Sequence, residues 1–179
     1  RGPEAARAIR AAGLSLREIA FQRSGLNPLA DMTTRRQIVD AYRELRPDIV
    51  HHVALKPIIH GQAAAKRMLV AGGGSIQFTG ASASVKGYKL SAPFAMGKFG
   101  LRGLAQSMAR ELAPENIHVA HFIIDGGIEK DGGHPRAQNA GEDGLLDPDA
   151  IAQTYLQIHD QHRSAWTWEV ELRPWTENF

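Results

Sequence analysis

Chemistry in this chain has to be done without a thiol. The 179 residues contain no cysteine, which excludes a thiolate nucleophile, a disulfide and a Cys-ligated zinc. Serines, lysines, carboxylates and eight histidines remain. Ser82 and Ser84 stand in the small-residue run Gly80-Ala81-Ser82-Ala83-Ser84, and Lys98 closes Phe94-Ala95-Met96-Gly97-Lys98. Asp125-Gly126-Gly127-Ile128 opens a Gly-rich stretch running to Gly144. A serine beside an imidazole makes a nucleophile and its base, and Ser82 with His60 or His134 is such a pairing, although the run around Ser82 misses the Gly-x-Ser-x-Gly elbow. Neutral imidazole with carboxylate suits zinc or manganese, and His60, Asp125, Asp131 and His134 are the candidate set for a divalent metal. His51 and His52 point to opposite faces of a strand, as do His118 and His121, so neither pair can share an ion. Scattered structural or surface histidines are the expected account of all eight.

The elements that must hold these residues follow from period and punctuation. Residues 3–12 are helical, with Pro3 in the first turn and Gly13 past the end, and 15–21 alternate as a strand. Gly25, Asn27 and Pro28 make 23–31 a loop, leaving Asp31 to cap a helix to about Leu45. The run 49–55 is apolar at both alternations, the pattern of a strand buried on two faces. A helix over 58–70 and a turn at Gly72-Gly73-Gly74 lead to a third strand, 75–81. A long helix from about Pro93 to Ala113 sets Leu101, Leu104, Ala105, Met108 and Leu112 on one stripe. Residues 117–124 form a fourth, continuously apolar strand, followed by the Gly-rich loop as the expected mobile segment. Asp147-Pro148 opens a last helix to about Asp160, and 167–172 alternate as a fifth strand. This alternation predicts one α/β domain over 1–179, a truncated, three-layer Rossmann-like fold with a largely parallel five-stranded sheet. Ligands bind such sheets outside the strands' carboxyl ends, which gathers Lys56, His60, 79–84, 94–98 and 125–128 toward one cleft.

Composition bounds the rest. Apolar residues make up 43% and charged residues 22%, the balance of a soluble globular chain that removes roughly 70% of its unfolded surface from water. No apolar run approaches the length that spans a bilayer, and no leader opens the chain, so no membrane partner is expected and cytoplasm is the default. The first residue is Arg1 rather than Met, so the true start is expected to lie upstream. The net charge of +2 comes from scattered residues, a poor footprint for nucleic acid. The glycine triplet follows a helix and enters a strand, the reverse of a phosphate loop, and neither G-x-G-x-x-G nor G-x-x-x-x-G-K-[ST] occurs. Trp166, Trp168 and Trp175 read as core and interface residues.

Residues 62–179 resemble the short-chain dehydrogenase/reductase family in strand, motif and spacing together. In that family a Tyr and a Lys four residues on lie one helical turn apart, the Lys lowering the Tyr pKa so that a phenolate exchanges a proton while nicotinamide exchanges a hydride. The resemblance places Lys98 at the lysine and Phe94 at the tyrosine. The substrate-orienting serine, thirteen residues earlier, falls on Ala81, with Ser82 one step away. Asp125-Gly126-Gly127-Ile128 matches the Pro-Gly loop, with Asp for Pro, and would meet any cofactor. The tail RSAWTWEVELRPWTENF is similar to a branch carrying Phe in place of Tyr. The resemblance implies an NAD(P)-using parent whose hydride transfer has been lost here, with no cofactor bound and Lys98 left as an anion site or pKa-lowered amine. The first sixty or so residues, through REIAFQRSGLNPLADM and RPDIVHHVALKPIIHG, resemble the N-terminal, acceptor-side half of GT-B glycosyltransferases, which implies a chimera joined between 57 and 66. Two other readings stand beside a recombined dehydrogenase: a hydrolase of activated esters or phosphoesters using Ser82, Lys98 and a histidine or metal, and a non-catalytic scaffold. The small-molecule ligand is open.

Strands added in sequence order by right-handed crossovers place their connecting helices on one face. Val50, Val53, Val119, Ile123, Ile49, Ala54, Ala120 and Ile124 occupy both alternations of their strands, so both faces need cover. A homodimer is the expected source of the missing layer. Because the chain carries no dinucleotide fingerprint, calorimetric titration with NADH and NADPH is expected to show binding weaker than micromolar. Micromolar affinity for either would overturn that expectation.

Overall fold

In the computed structural model the described residues are Arg7, Ala11, 28–46, 49–52, 57–131 and 133–177. The strand expected at 15–21, most of the helix expected at 3–12, and Lys56 lie outside them. The chain divides into two compact units, residues 1–46 and 47–179. In the first, helix α1 runs over Pro28–Leu45, so it starts before Asp31, which falls in its first turn instead of capping it. Pro28 suits that start because a first-turn residue needs no N–H. Thr34, Ile38 and Ala41, four and three residues apart, are its buried stripe.

The second unit carries a parallel sheet of four strands among the described residues: β1 (Ile49–His52), β2 (Gly74–Thr79), β3 (Ile117–Ile124) and β4 (Glu169–Leu172), in the order β1-β2-β3-β4. Between them lie α2 (Pro57–Ala71), α3 (Ala92–Leu112), the single turn α4 (Ala137–Ala140) and α5 (Pro148–His159). The expected parallel Rossmann-like α/β architecture is therefore present. No helix among the described residues is long and apolar enough to cross a membrane.

Parity decides which helix covers which face. Phe78 lies opposite His121 in the register, and Thr79 opposite Phe122. A Cβ on Gly61 of α2 would sit 3.1 Å from the Phe78 ring and 3.3 Å from the Met108 sulfur of α3, so α2 and α3 share the face of Phe78 and His121. The stripe of α3 that turns inward is Ala95, Leu101, Ala105, Met108 and Leu112, the expected one except that Leu104 is only half-buried. The other face is covered by α5. Tyr155 stacks on Phe122 with ring centroids 3.6 Å apart, shares a 2.9 Å hydrogen bond with Thr79 Oγ1, and its carbonyl accepts from Gln77 at 2.9 Å. Ala120, Phe122, Ile124, Tyr155 and Ile158 make the core there, with Leu146, Ile151, Val170 and Leu172 packed against it. Burying one such phenyl ring is worth about 2–3 kcal/mol. Burial also pushes the Tyr155 phenol up to about 12.

This arrangement corrects the one-face expectation. The strands do advance in sequence order, yet the β3–β4 connection crosses the face opposite to α2 and α3, so its hand is opposite to theirs. The 22 or so residues between β3 and α5 are long enough to carry the chain over the sheet edge, and the apolar even-numbered positions of β3 reward the crossing, which outweighs the usual preference of hand. The Gly-rich stretch is itself pinned by a parallel bridge between Ile128 and Leu146, with Leu146 N donating to Gly127 O at 2.8 Å.

β3 buries a histidine on each face, as parity required. His118 stacks on Trp166 with centroids 4.7 Å apart and bonds Thr167 O through Nε2 at 2.8 Å. His121 lies on the α3 face. Burial lowers the pKa of both, with nearby His159 adding to the effect on His118, and Arg102 and Lys98 adding to it on His121. A histidine held neutral by folding lends stability above its unfolded value near 6.5, and that contribution is lost as pH falls through the lower folded value. Urea denaturation is thus expected to show lower stability at about pH 5 than at about pH 7, with a smaller drop in His121→Gln. An equal drop in that variant would remove His121 as a source.

Candidate functional site

β2 and β3 both end at one cleft, and the residues just past them form it. The cleft, of about 360 Å³, is lined by Ser82, Tyr88, Asp125, Gly126, Gly127, His134, Arg136 and Glu177. Ser82 starts a one-turn 3-10 helix, Ser82–Ser84, directly after β2. Asp125 follows the last residue of β3, its N–H donating to Leu172 O of β4 at 2.8 Å. Extending a fully paired strand by one residue thus carries a carboxylate to the sheet's carboxyl edge.

Asp125 is the electrostatic centre. Its side chain is 4% exposed and takes Lys86 Nζ at 2.8 Å, together with the Ser82 hydroxyl. Burial pushes the carboxyl up, but the bonds from Lys86 and Ser82 and the charges of Lys86 and Arg173 hold it below the usual carboxylate range. Lys86 is in turn raised, chiefly by its bond to Asp125. A buried carboxylate with two donors is the arrangement that keeps such a charge ionised. The loop glycines leave no alternative packing: a Cβ on Gly126 would lie 2.6 Å from Pro174 Cδ, and one on Gly127 2.7 Å from His134 Cε1.

Lys98 stands on α3 one turn after Phe94, and its ammonium donates to Thr79 O at 2.9 Å. Its Nζ lies 5.8 Å from the centroid of the Phe94 ring. Burial lowers its pKa, and it makes no ion pair among the described residues. A half-buried ammonium with three donors and one carbonyl acceptor is set up to hold an anion or a hydroxyl-bearing ligand.

The sequence-derived candidates separate here. Ser82, Asp125, Gly126, Gly127 and His134 come together in the cleft, whereas Ile128 is exposed beyond the loop. Ser82 acts on Asp125, helping to lower its carboxyl, and among the described residues no hydrogen bond joins it to a histidine, so the serine–imidazole pair of the hydrolase reading is not made. The metal set His60, Asp125, Asp131 and His134 is not assembled: Asp125 and His134 line the cleft without His60 or Asp131, and no group of three His, Asp or Glu among the described residues is arranged to hold a metal ion. Trp175, read as a core or interface residue, is 81% exposed and so is not part of the core. Lys86, Tyr88, Arg136 and Glu177 were missed. They lie on loops, where no period singles out a residue, and only the strand-end position of Lys86 beside the serine run gave a signal.

A family model described as short chain dehydrogenase matches residues 29–138. The match runs without a break through 57–66, so neither the glycosyltransferase resemblance of the first sixty residues nor a join there is supported. Among solved structures, a short-chain dehydrogenase from Rhodopseudomonas palustris is 30% identical with a TM-score of 0.67, covering 98% of this chain and 84% of that one. Acetoin dehydrogenases from Salmonella typhimurium and Enterobacter cloacae are each 18% identical, with TM-scores of 0.73 and 0.74, over 96% and 95% of this chain and 80% and 79% of theirs. No match was found among curated protein sequences. The family model covers more than half of the chain, and with it the strand-end cleft and the Phe94–Lys98 turn: this chain belongs to the short-chain dehydrogenase family.

Proposed function

We propose that the cleft binds a small polar ligand in an oxidoreductase-family domain whose own hydride-transfer chemistry has been lost. The observation that carries this is the Phe94–Lys98 turn. The lysine keeps its place, half-buried and 5.8 Å from the ring centre, but the ring beside it has no hydroxyl, so no phenol stands one turn away to exchange a proton. The family's nicotinamide cofactor would supply a hydride when bound. The residues present fit the sugar end of such a molecule: Lys98 spends one donor on Thr79 O and has two more for ribose hydroxyls, and Gly126 and Gly127 line the cleft. Within the cleft, Ser82 and Asp125 orient a ligand hydroxyl, and Arg136 offers a cation at the rim. Phe94 contributes cover and no proton.

Restoring the phenol tests this. Phe94→Tyr is expected to raise NADPH- or NADH-dependent reduction of small carbonyl compounds at least about tenfold at saturating cofactor, within the usual range for a positioned general acid. Lys98→Ala in that background is expected to abolish the gain. Steady turnover by the unaltered chain, or no gain in Phe94→Tyr, would overturn the reading.

We further propose that the chain self-associates through α3. Leu90, Met96 and Phe99 are exposed around the start of this helix, Met96 to 74% and Leu90 to 95%, and apolar groups clustered in this way mark contact surfaces. Light scattering at micromolar concentration is expected to give twice the 19.5 kDa chain mass. A single-chain mass would overturn self-association.

A further inference from the structure

A chain of four side chains, buried at Ser84 and His121 and partly exposed at Glu169 and Arg102, is not used by any step above. Ser84 Oγ accepts the Ala81 N–H at 3.1 Å and lies 3.4 Å from His121 Nε2. His121 Nδ1 is 3.1 Å from Glu169 Oε2. Glu169 is clamped by Arg102 of α3, through Nε at 2.6 Å and Nη2 at 2.8 Å. Ser84 and His121 are both fully buried. The register makes this possible, because His121 and Glu169 are direct neighbours across β3 and β4. Gly80 leaves the room: a Cβ there would meet His121 Nε2 and lie 2.6 Å from Ser84 Oγ.

The proton positions are fixed by elimination. Glu169 takes two guanidinium donors and is ionised, so it can only accept, and His121 Nδ1 must donate to it. Neutral His121 then has only an acceptor left at Nε2, and Ser84 must donate to that. Ser84 thereby makes one bond as acceptor and one as donor, and the 81–84 turn is locked to β3.

One end of this chain lies in the turn that bears Ser82, which lines the cleft, and the other lies on the helix that bears Lys98. The turn that Ser84 closes also carries Ser82 to Asp125. Arg102 sits one helical turn beyond Lys98. We propose that His121 is the positioning residue of the candidate site, holding the Ser82 turn as a neutral acceptor and tying it, through Glu169 and Arg102, to the turn of α3 that bears Lys98. This rests on the reading of the cleft given above. The charged groups facing His121 are Glu169 from β4 and Arg102 and Lys98 from α3. Protonation reverses the bond to Ser84: Nε2–H donates, Ser84 Oγ then faces two donors, and its own proton loses its acceptor. The turn should loosen as a result.

Amide hydrogen exchange in the full chain tests this without any need for activity. His121→Gln keeps an acceptor near Nε2, whereas His121→Asn keeps a group near Nδ1 for Glu169 and leaves Ser84 without one. At about pH 7, Ser84→Ala and His121→Asn are expected to speed exchange at the Ala81 amide at least about tenfold, the scale of one lost buried hydrogen bond, with His121→Gln staying within about threefold. In the unaltered chain, protection at Ala81 is expected to fall as pH drops through the lowered folded value of His121, and His121→Gln should show no such titration. In the Phe94→Tyr background, kcat is expected to drop at least about tenfold with His121→Asn and to be kept by His121→Gln. Unchanged Ala81 exchange in Ser84→Ala and His121→Asn, with the fold intact by circular dichroism, overturns the proposal. Should those variants unfold, the unaltered chain decides, and Ala81 protection that stays flat from about pH 7.5 down to the onset of acid unfolding overturns it. An inactive Phe94→Tyr defeats the reading of the cleft alone, and exchange still judges His121.

Discussion

β3 is buried at all eight of its positions, and a strand that is dry on both faces dictates much of what surrounds it. Its odd positions need one cover and its even positions another. α2 and α3 supply the first, α5 the second, and the chain must therefore cross the sheet edge between β3 and α5. That crossing starts at Asp125, so the cleft lies where the need to bury Phe122 and Ile124 sends the backbone over the edge. The same burial leaves no water for His118 or His121, and each must find protein partners. His118 finds a carbonyl and an indole face. His121 finds a carboxylate and a hydroxyl, which links its strand to two walls of the site.

The two ion pairs flanking β3 differ in what they do. Arg102 grips Glu169 with two parallel bonds, a geometry that fixes orientation as well as charge, and it joins a helix to an edge strand of the described sheet. Lys86 meets Asp125 through one ammonium with its side chain 35% exposed, so solvent screens it and its effect on stability is small. Its consequence is local: Asp125 stays ionised and Ser82 is turned toward it. Arg102 is itself 37% exposed, so solvent screens this pair as well, and its two parallel bonds set orientation more than stability. The second pair sits where a ligand can exchange for one of its members.

Much of this was legible in the sequence, for reasons that differ by element. The strands at 75–81 and 117–124 and the stripe of α3 repeat a period, and period is what a folded layer imposes. Asp147-Pro148 was a readable helix start, and the Asp147 carboxylate accepts the Asp149 N–H at 2.7 Å. Ser82, Lys98 and Asp125 followed from the strand-end rule alone. The face chosen by α5 was not legible, because a preference of hand belongs to short crossovers and this connection is long. Nor was the His121 network. Parity placed His121 opposite to His118, but its partner comes from β4, and only the register of two strands separated by some forty-five residues brings Glu169 beside it.

The Phe94–Lys98 turn shows how a lysine can be held in place without the ring one turn before it taking part. Lys98 is held by the Thr79 carbonyl at the end of β2, and Arg102 one turn later holds the same helix to β4. Neither contact involves the ring at 94. Replacing a phenol by phenyl at that position removes a proton donor while leaving every hydrogen bond that positions the lysine. Half-buried Lys98 then carries its charge without a carboxylate partner among the described residues, at a cost that folding alone does not require. A half-buried cation at the carboxyl edge of a parallel sheet is one reason the proposed function places a ligand at this edge.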